Sequence, residues 1–123
     1  MKILRTPDEC FDNLEDYPFE PNYIDIEHND QTLRMHFLDE NSESEEIVLL
    51  MHGEPTWSYL YRKIIPILVS NGKRVIAPDL IGFGKSDKPS SREDYSYANH
   101  IMWVETLIKK LDLKNIIFFA QDW

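Results

Sequence analysis

Ile47-Val48-Leu49-Leu50-Met51-His52-Gly53-Glu54-Pro55-Thr56-Trp57 begins with five apolar residues in a row and ends in a polar turn carrying Gly and Pro. A continuous apolar run is what a parallel strand covered on both faces requires, whereas a half-solvated strand alternates. Two more runs repeat the pattern. Arg74-Val75-Ile76-Ala77 is stopped by Pro78, and Ile116-Ile117-Phe118-Phe119-Ala120 lies near the C-terminal end. Between the first two, residues 58–70 read as a helix stopped at Asn71-Gly72, with Pro66 expected to kink it. Residues 79–95 read as loop. Then Ile101, Val104, Leu107, Ile108 and Leu111 recur at helical spacing, with Ser96 available as the cap. Strand, helix, strand, helix, strand is two consecutive βαβ units. The expected class is α/β, with a mostly parallel sheet and helices on both faces.

Toward the N-terminus the pattern changes. Leu33, Met35 and Phe37 alternate with polar residues, Tyr23, Ile24 and Ile26 precede them, and Asn29-Asp30 lies between. That combination predicts an antiparallel hairpin leading into the parallel sheet. Residues 1–21 are polar and interrupted by Pro7, Pro18 and Pro21, so they read as irregular chain pinned to a surface by Phe11, Tyr17 and Phe19. The chain is therefore one domain over 1–123, with an irregular segment 1–21 followed by hairpin and βαβ units over 22–123. A last strand this apolar needs neighbours and covering helices. The expectation is an incomplete domain, the N-terminal part of a longer one.

The 123 residues include 42% hydrophobic and 28% charged side chains, enough for a core. The net charge of −9 argues against a nucleic-acid binder, which needs a basic face. The acidity is uneven: residues 1–46 carry 14 acidic and 3 basic groups, and residues 47–123 carry 8 and 10. The single cysteine, Cys10, forms no internal disulfide. No apolar run approaches the roughly 20 residues that span a bilayer. A cytoplasmic protein without membrane partners is expected.

Sites in open parallel sheets form beyond the carboxyl ends of the strands. After the second strand, Gly84-Lys85-Ser86 matches the tail of a phosphate-binding loop. The position that motif needs as its first glycine is Asp79, and Pro89 follows where a long helix should start. Asp79 and Ser86 are instead expected to bond the backbone of a tight loop. Taken alone, Asp122 reads as a helix cap and His52 as a buried structural histidine. His28, His36 and His100 show no metal-ligand spacing, and no metal or cofactor is expected.

Three blocks join these ends. HGEPTWSYLYRK (His52–Lys63), RVIAPDLIGFGKSDKP (Arg74–Pro89) and QDW (Gln121–Trp123) occur in the order and spacing of the α/β-hydrolase fold. Within it, HGEPTW joined to QDW resembles the haloalkane dehalogenases, and RTPDECFDNLEDYPFEPNY (Arg5–Tyr23) resembles the N-terminal region of one of their subgroups. The resemblance implies that Asp122 is the nucleophile on a sharp turn after the last strand, with Ala120 as the small residue two positions before it. It implies attack by the Asp122 carboxylate on a carbon–halogen bond, an alkyl-ester intermediate, and hydrolysis by a water that a histidine base activates. The backbone N–H groups of Glu54 and Trp123 would form the oxyanion hole, and the Trp123 indole N–H would hold the departing halide. His52, Gly53 and Pro55 would support that loop. The base, the supporting acid and the cap domain would follow Trp123. The implied partners are a small haloalkane and water, and the complete protein is expected to be a monomer. An epoxide hydrolase also fits HG-x-P and an aspartate before tryptophan; Glu54, Thr56-Trp57 and Gln121 favour the dehalogenase. A fluoroacetate-type dehalogenase fits less well, because it places Arg after the nucleophile. A non-catalytic α/β-hydrolase-like binding protein is the alternative of another class.

Overall fold

The computed structural model describes residues 2–54 and 56–121. Its strands are β1 (Ile3–Leu4), β2 (Asn22–His28), β3 (Gln31–Glu40), β4 (Ile47–Met51), β5 (Arg74–Pro78), β6 (Lys88–Pro89) and β7 (Ile116–Ala120); its helices are α1 (Ile64–Ser70) and α2 (Tyr97–Lys110). Short 3₁₀ turns occur at Asp8–Phe11, Ser58–Tyr61 and Arg92–Asp94.

Five strands form the main sheet in the order β2-β3-β5-β4-β7. β2 and β3 are the expected hairpin, closed by Asn29 and Asp30 at φ 49° and 63°, the left-handed pair that a two-residue turn needs. β3 runs antiparallel to β5, and β4 lies parallel to both β5 and β7. The connection from β4 goes to one side of it and the next strand returns to the other. The sheet therefore reverses its winding between β4 and β7, the place where ligand crevices form in open α/β sheets.

Alternate residues of each strand feed two cores. Leu49, Met51, Ile76, Met35 and Phe37 pack with Trp103 and Leu107 of α2. Val48, Leu50, Val75, Ala77 and Leu38 pack with Tyr61 and with Ile65 of α1. All five residues of β4 are buried, as a central parallel strand demands. β7 differs: Ile117, Phe118 and Phe119 are 56%, 59% and 50% exposed, because among the described residues it pairs only with β4 and the layers on either side cover it only in part.

Two local outcomes depart from the sequence reading. The 58–70 helix is two pieces, a 3₁₀ turn and then α1. Pro66 falls in the first turn of α1, where its missing N–H has no intrahelical partner to lose, so it causes no kink. α1 ends as expected: Gly72 sits at φ 82°, with its own N–H bonded to Val69 O and that of Lys73 to Leu68 O. The segment 1–21, expected to be irregular, contributes a short strand. β1 pairs antiparallel with β6, and the Arg5 guanidinium grips Asp87 with two bonds of 2.6 and 2.9 Å. Among the described residues no helix is long and apolar enough to cross a membrane.

Candidate functional site

The loop that leaves β4 is bonded to the residues after β5, and Met51, the last residue of β4, is bonded to Gln121 at the end of β7. His52 is fully buried. Its Nε2 accepts the Leu80 N–H at 2.9 Å, so the ring proton is on Nδ1, which donates to Gly53 O at 2.9 Å. Burial holds the imidazole below its ordinary pKa, opposed by the bond to Gly53 O and by Asp79. His52 is thus a neutral clamp with both ring nitrogens engaged, packed edge-on against Phe83.

Gly53 O accepts two more bonds, from Thr56 N at 3.0 Å and Thr56 Oγ1 at 2.7 Å. Glu54 is exposed at the turn. On the other flank, Met51 O accepts Tyr61 Oη at 2.6 Å and Gln121 N at 3.2 Å, so β7 stays in register with β4 through Gln121. Asp122 and Trp123, read from sequence as nucleophile and halide donor, and Pro55, read as loop support, lie outside the described residues. Of the other expected site residues, His52, Gly53 and Glu54 come together on the β4 loop, and Gln121 ends beside them.

The loop after β5 holds the arrangement from behind. Asp79 is fully buried. Its Oδ1 accepts Ser58 N at 2.7 Å, and its Oδ2 accepts His36 Nδ1 at 2.8 Å and Lys85 N at 2.9 Å. Burial opposes its charge, but those bonds and the His36 ring outweigh it and hold the carboxyl below its ordinary range. Ser86 Oγ donates to Asp79 O at 2.6 Å and accepts His36 N at 2.8 Å. The interior of the Gly84-Lys85-Ser86 loop is thus filled by the protein's own carboxylate, in keeping with the expected tight loop rather than a phosphate cradle.

The sequence reading passed over the weight of Asp79, His36 and Thr56. A carboxylate directly after a buried strand and its terminating proline was a usable signal for Asp79, and a Thr three residues after Gly53 was one for a side-chain bond back to that carbonyl. His36 gave none, since its partner is 43 positions away. His100, at the start of α2, lies near enough to His52 and Glu54 to feel them; burial lowers its pKa, then His52, while Glu54 raises it. An apolar groove of about 410 Å³ runs between α2 and β7, lined by Met51, His100, Val104, Phe118 and Ala120. Among the described residues no group of three or more His, Cys, Asp or Glu is placed to hold a metal ion.

Residues 46–123 match the alpha/beta hydrolase fold family. Haloalkane dehalogenases of Psychrobacter cryohalolentis and Mycolicibacterium paratuberculosis are 57% and 55% identical over the whole chain, which spans 41% of each. Haloalkane dehalogenase DpaA from Paraglaciecola agarilytica, described as tetrameric, superposes with a TM-score of 0.95 at 50% identity, covering 100% of this chain and 42% of that one. Epoxide hydrolase VrEH1 from Vigna radiata reaches 0.70 at 31% identity, covering 85% of this chain and 32% of that one.

Proposed function

The chain belongs to the α/β hydrolase fold family, and on that premise we propose that it is the nucleophile-bearing part of a haloalkane dehalogenase. The observation that carries this reading is the bonding of the β4 loop beside the end of β7. Glu54 follows the clamped Gly53 carbonyl, and Gln121, which precedes Asp122 in the sequence, is bonded to Met51, so Gln121 and the start of the β4 loop lie side by side where the sheet reverses. Identity of 50–57% over the whole chain to haloalkane dehalogenases, against 31% over 85% to an epoxide hydrolase, favours carbon–halogen over epoxide chemistry.

In this reading the Asp122 carboxylate attacks the halogen-bearing carbon. The carbon–halogen electron pair leaves with the halide, which the Trp123 indole N–H receives. The product is an alkyl ester of Asp122. Water then adds to the ester carbonyl and gives its proton to a histidine base, which the resemblance assigns to chain beyond Trp123. The negative oxygen is met by the N–H groups of Glu54 and Trp123, and collapse releases the alcohol and restores Asp122. His52, neutral and doubly bonded, serves the loop and not the proton transfer, together with Gly53 and Pro55. No metal or cofactor enters this chemistry. Cytoplasmic location accords with the lone, exposed Cys10. The Paraglaciecola relative is described as a tetramer, so the expected monomer is to be decided by light scattering on the complete gene product.

The test is halide and alcohol release in equal amounts from 1-bromobutane and 1,2-dichloroethane by the complete gene product. Asp122→Ala should abolish both. Unchanged turnover in that variant would sink the assignment, and hydrolysis of epoxides with no halide release would favour the alternative.

A further inference from the structure

We infer that Thr56 is a positioning residue for ester hydrolysis, its hydroxyl holding the Gly53–Glu54 peptide whose N–H faces the reacting oxyanion. The inference rests on the function proposed above. The peptide is planar, so the Gly53 carbonyl and the Glu54 N–H point in opposite directions along one rigid unit. Whatever fixes the carbonyl fixes the N–H.

That carbonyl is oversubscribed. A carbonyl oxygen has two lone pairs, yet three donors converge on this one: His52 Nδ1 at 2.9 Å, Thr56 N at 3.0 Å and Thr56 Oγ1 at 2.7 Å. The Thr56 N–H already closes the four-residue turn. The hydroxyl bond is therefore redundant for forming the turn, and it is the shortest of the three. Its effect falls on the carbonyl itself, in orientation and in charge. Donors at a peptide oxygen draw electron density from the amide and polarise the N–H on the far side. An oxyanion donor is effective in proportion to how well it is aimed and polarised before charge develops.

The arrangement is also anchored on the far side of Thr56. Two residues on, Ser58 N bonds the buried Asp79 carboxylate, and its neighbour Leu80 N bonds His52. The turn is thus pinned at both ends, and the Thr56 hydroxyl acts in its middle, where the donor peptide lies.

Negative charge on the ester oxygen appears only in the second half of the reaction. Removing the hydroxyl should therefore slow ester hydrolysis and leave ester formation nearly intact. The experiment is single-turnover reaction of the complete gene product with 1-bromobutane, following halide by rapid quench and the butyl-enzyme by mass spectrometry. Thr56→Val removes the hydroxyl and keeps the branched shape. Its butyl-enzyme should decay about tenfold more slowly, while halide is released within about twofold of the wild-type rate. Thr56→Ser should restore decay, and Thr56→Ala should resemble Thr56→Val. Wild-type decay in Thr56→Val, or an equal fall in both steps across Val, Ala and Ser, would overturn the inference. A wild-type protein that forms no butyl-enzyme would instead overturn the function it rests on.

Discussion

The Asp79 carboxylate and the His36 ring meet at 2.8 Å with both side chains fully buried. One residue leads the loop after β5 and the other sits in the middle of β3, so the bond ties the hairpin to the loop that supports the candidate site. Breaking such a pair leaves a buried group uncompensated, which costs about 3–5 kcal/mol. Asp79→Ala should lose about that much stability at pH 7 in urea unfolding of the complete gene product, and His36→Phe a comparable amount.

The same pair sets an acid dependence. The folded carboxyl of Asp79 lies below its ordinary value of 3.8: burial would raise it, and the His36 bond and charge, with the Lys85 and Ser58 N–H groups, bring it down. A depressed carboxyl contributes stability that is present above the unfolded value and is lost as pH falls through the folded one. The contribution is therefore whole above about pH 4 and fades only in stronger acid. Asp87, gripped by Arg5, is lowered in the same range, so the wild-type curve alone does not isolate Asp79. The difference between wild-type and Asp79→Asn curves should shrink as pH drops from about 4 to about 2. A constant offset over that range would refute the assignment.

Gly84 and Gly72 both occupy left-handed backbone, at φ 52° and 82°, but in different surroundings. A Cβ on Gly72 meets nothing within 4 Å, whereas one on Gly84 would lie 2.5 Å from Asp79 Oδ2 and 2.9 Å from Trp57 Cε3. Gly72→Ala should cost about 1 kcal/mol, the ordinary strain of an L-residue there. Gly84→Ala should cost about 3 kcal/mol, since the buried carboxylate must also move. Equal thermal shifts for the two variants would contradict the close packing of Asp79 beneath Gly84.

Much of this was legible because the deciding signals are local. The five-residue run at Ile47–Met51 needs both faces covered, Asn29-Asp30 supplies the hairpin turn, and Asn71-Gly72 and Ser96 mark helix ends where they occur. The strand order was not legible. Placing β4 between β5 and β7 depends on which face each crossover takes, which no single segment encodes. Pro66 misled because its effect depends on where the helix begins, and the 3₁₀ turn at Ser58–Tyr61 shifts that start. The role of Asp79 was hidden for the reason His36 was: their pairing is long-range, and a loop carboxylate reads as solvated until its partners are in view.

Trp123→Phe should weaken halide binding in the complete gene product while sparing the fold. Phenylalanine keeps a ring but has no N–H to donate. A hydrogen bond to an anion contributes roughly 1.5–3 kcal/mol, so bromide inhibition of turnover should weaken by about tenfold or more. Unaltered bromide inhibition would remove Trp123 from the halide site.

The last expectation concerns β7. Its outer edge has no partner among the described residues, and Ile117, Phe118 and Phe119 are each half exposed or more. An apolar strand with a free row of N–H and C=O groups is a template for another chain. Their pairing with Val48, Leu49 and Leu50 puts Ile117 and Phe119 on the α1 side and Phe118 on the α2 side, so both faces of the strand are apolar. The 123-residue polypeptide expressed by itself should therefore associate through this strand, bind a hydrophobic dye and release no halide from 1-bromobutane above buffer. Phe118→Lys places a charge on the apolar strand and should shift light-scattering mass toward the monomer, whereas Met102→Lys, an exposed position on α2 outside the groove beside β7, should not. A monomeric wild-type polypeptide that binds no dye would show that β7 is shielded in solution, and halide release by it would show that residues 1–123 suffice for turnover.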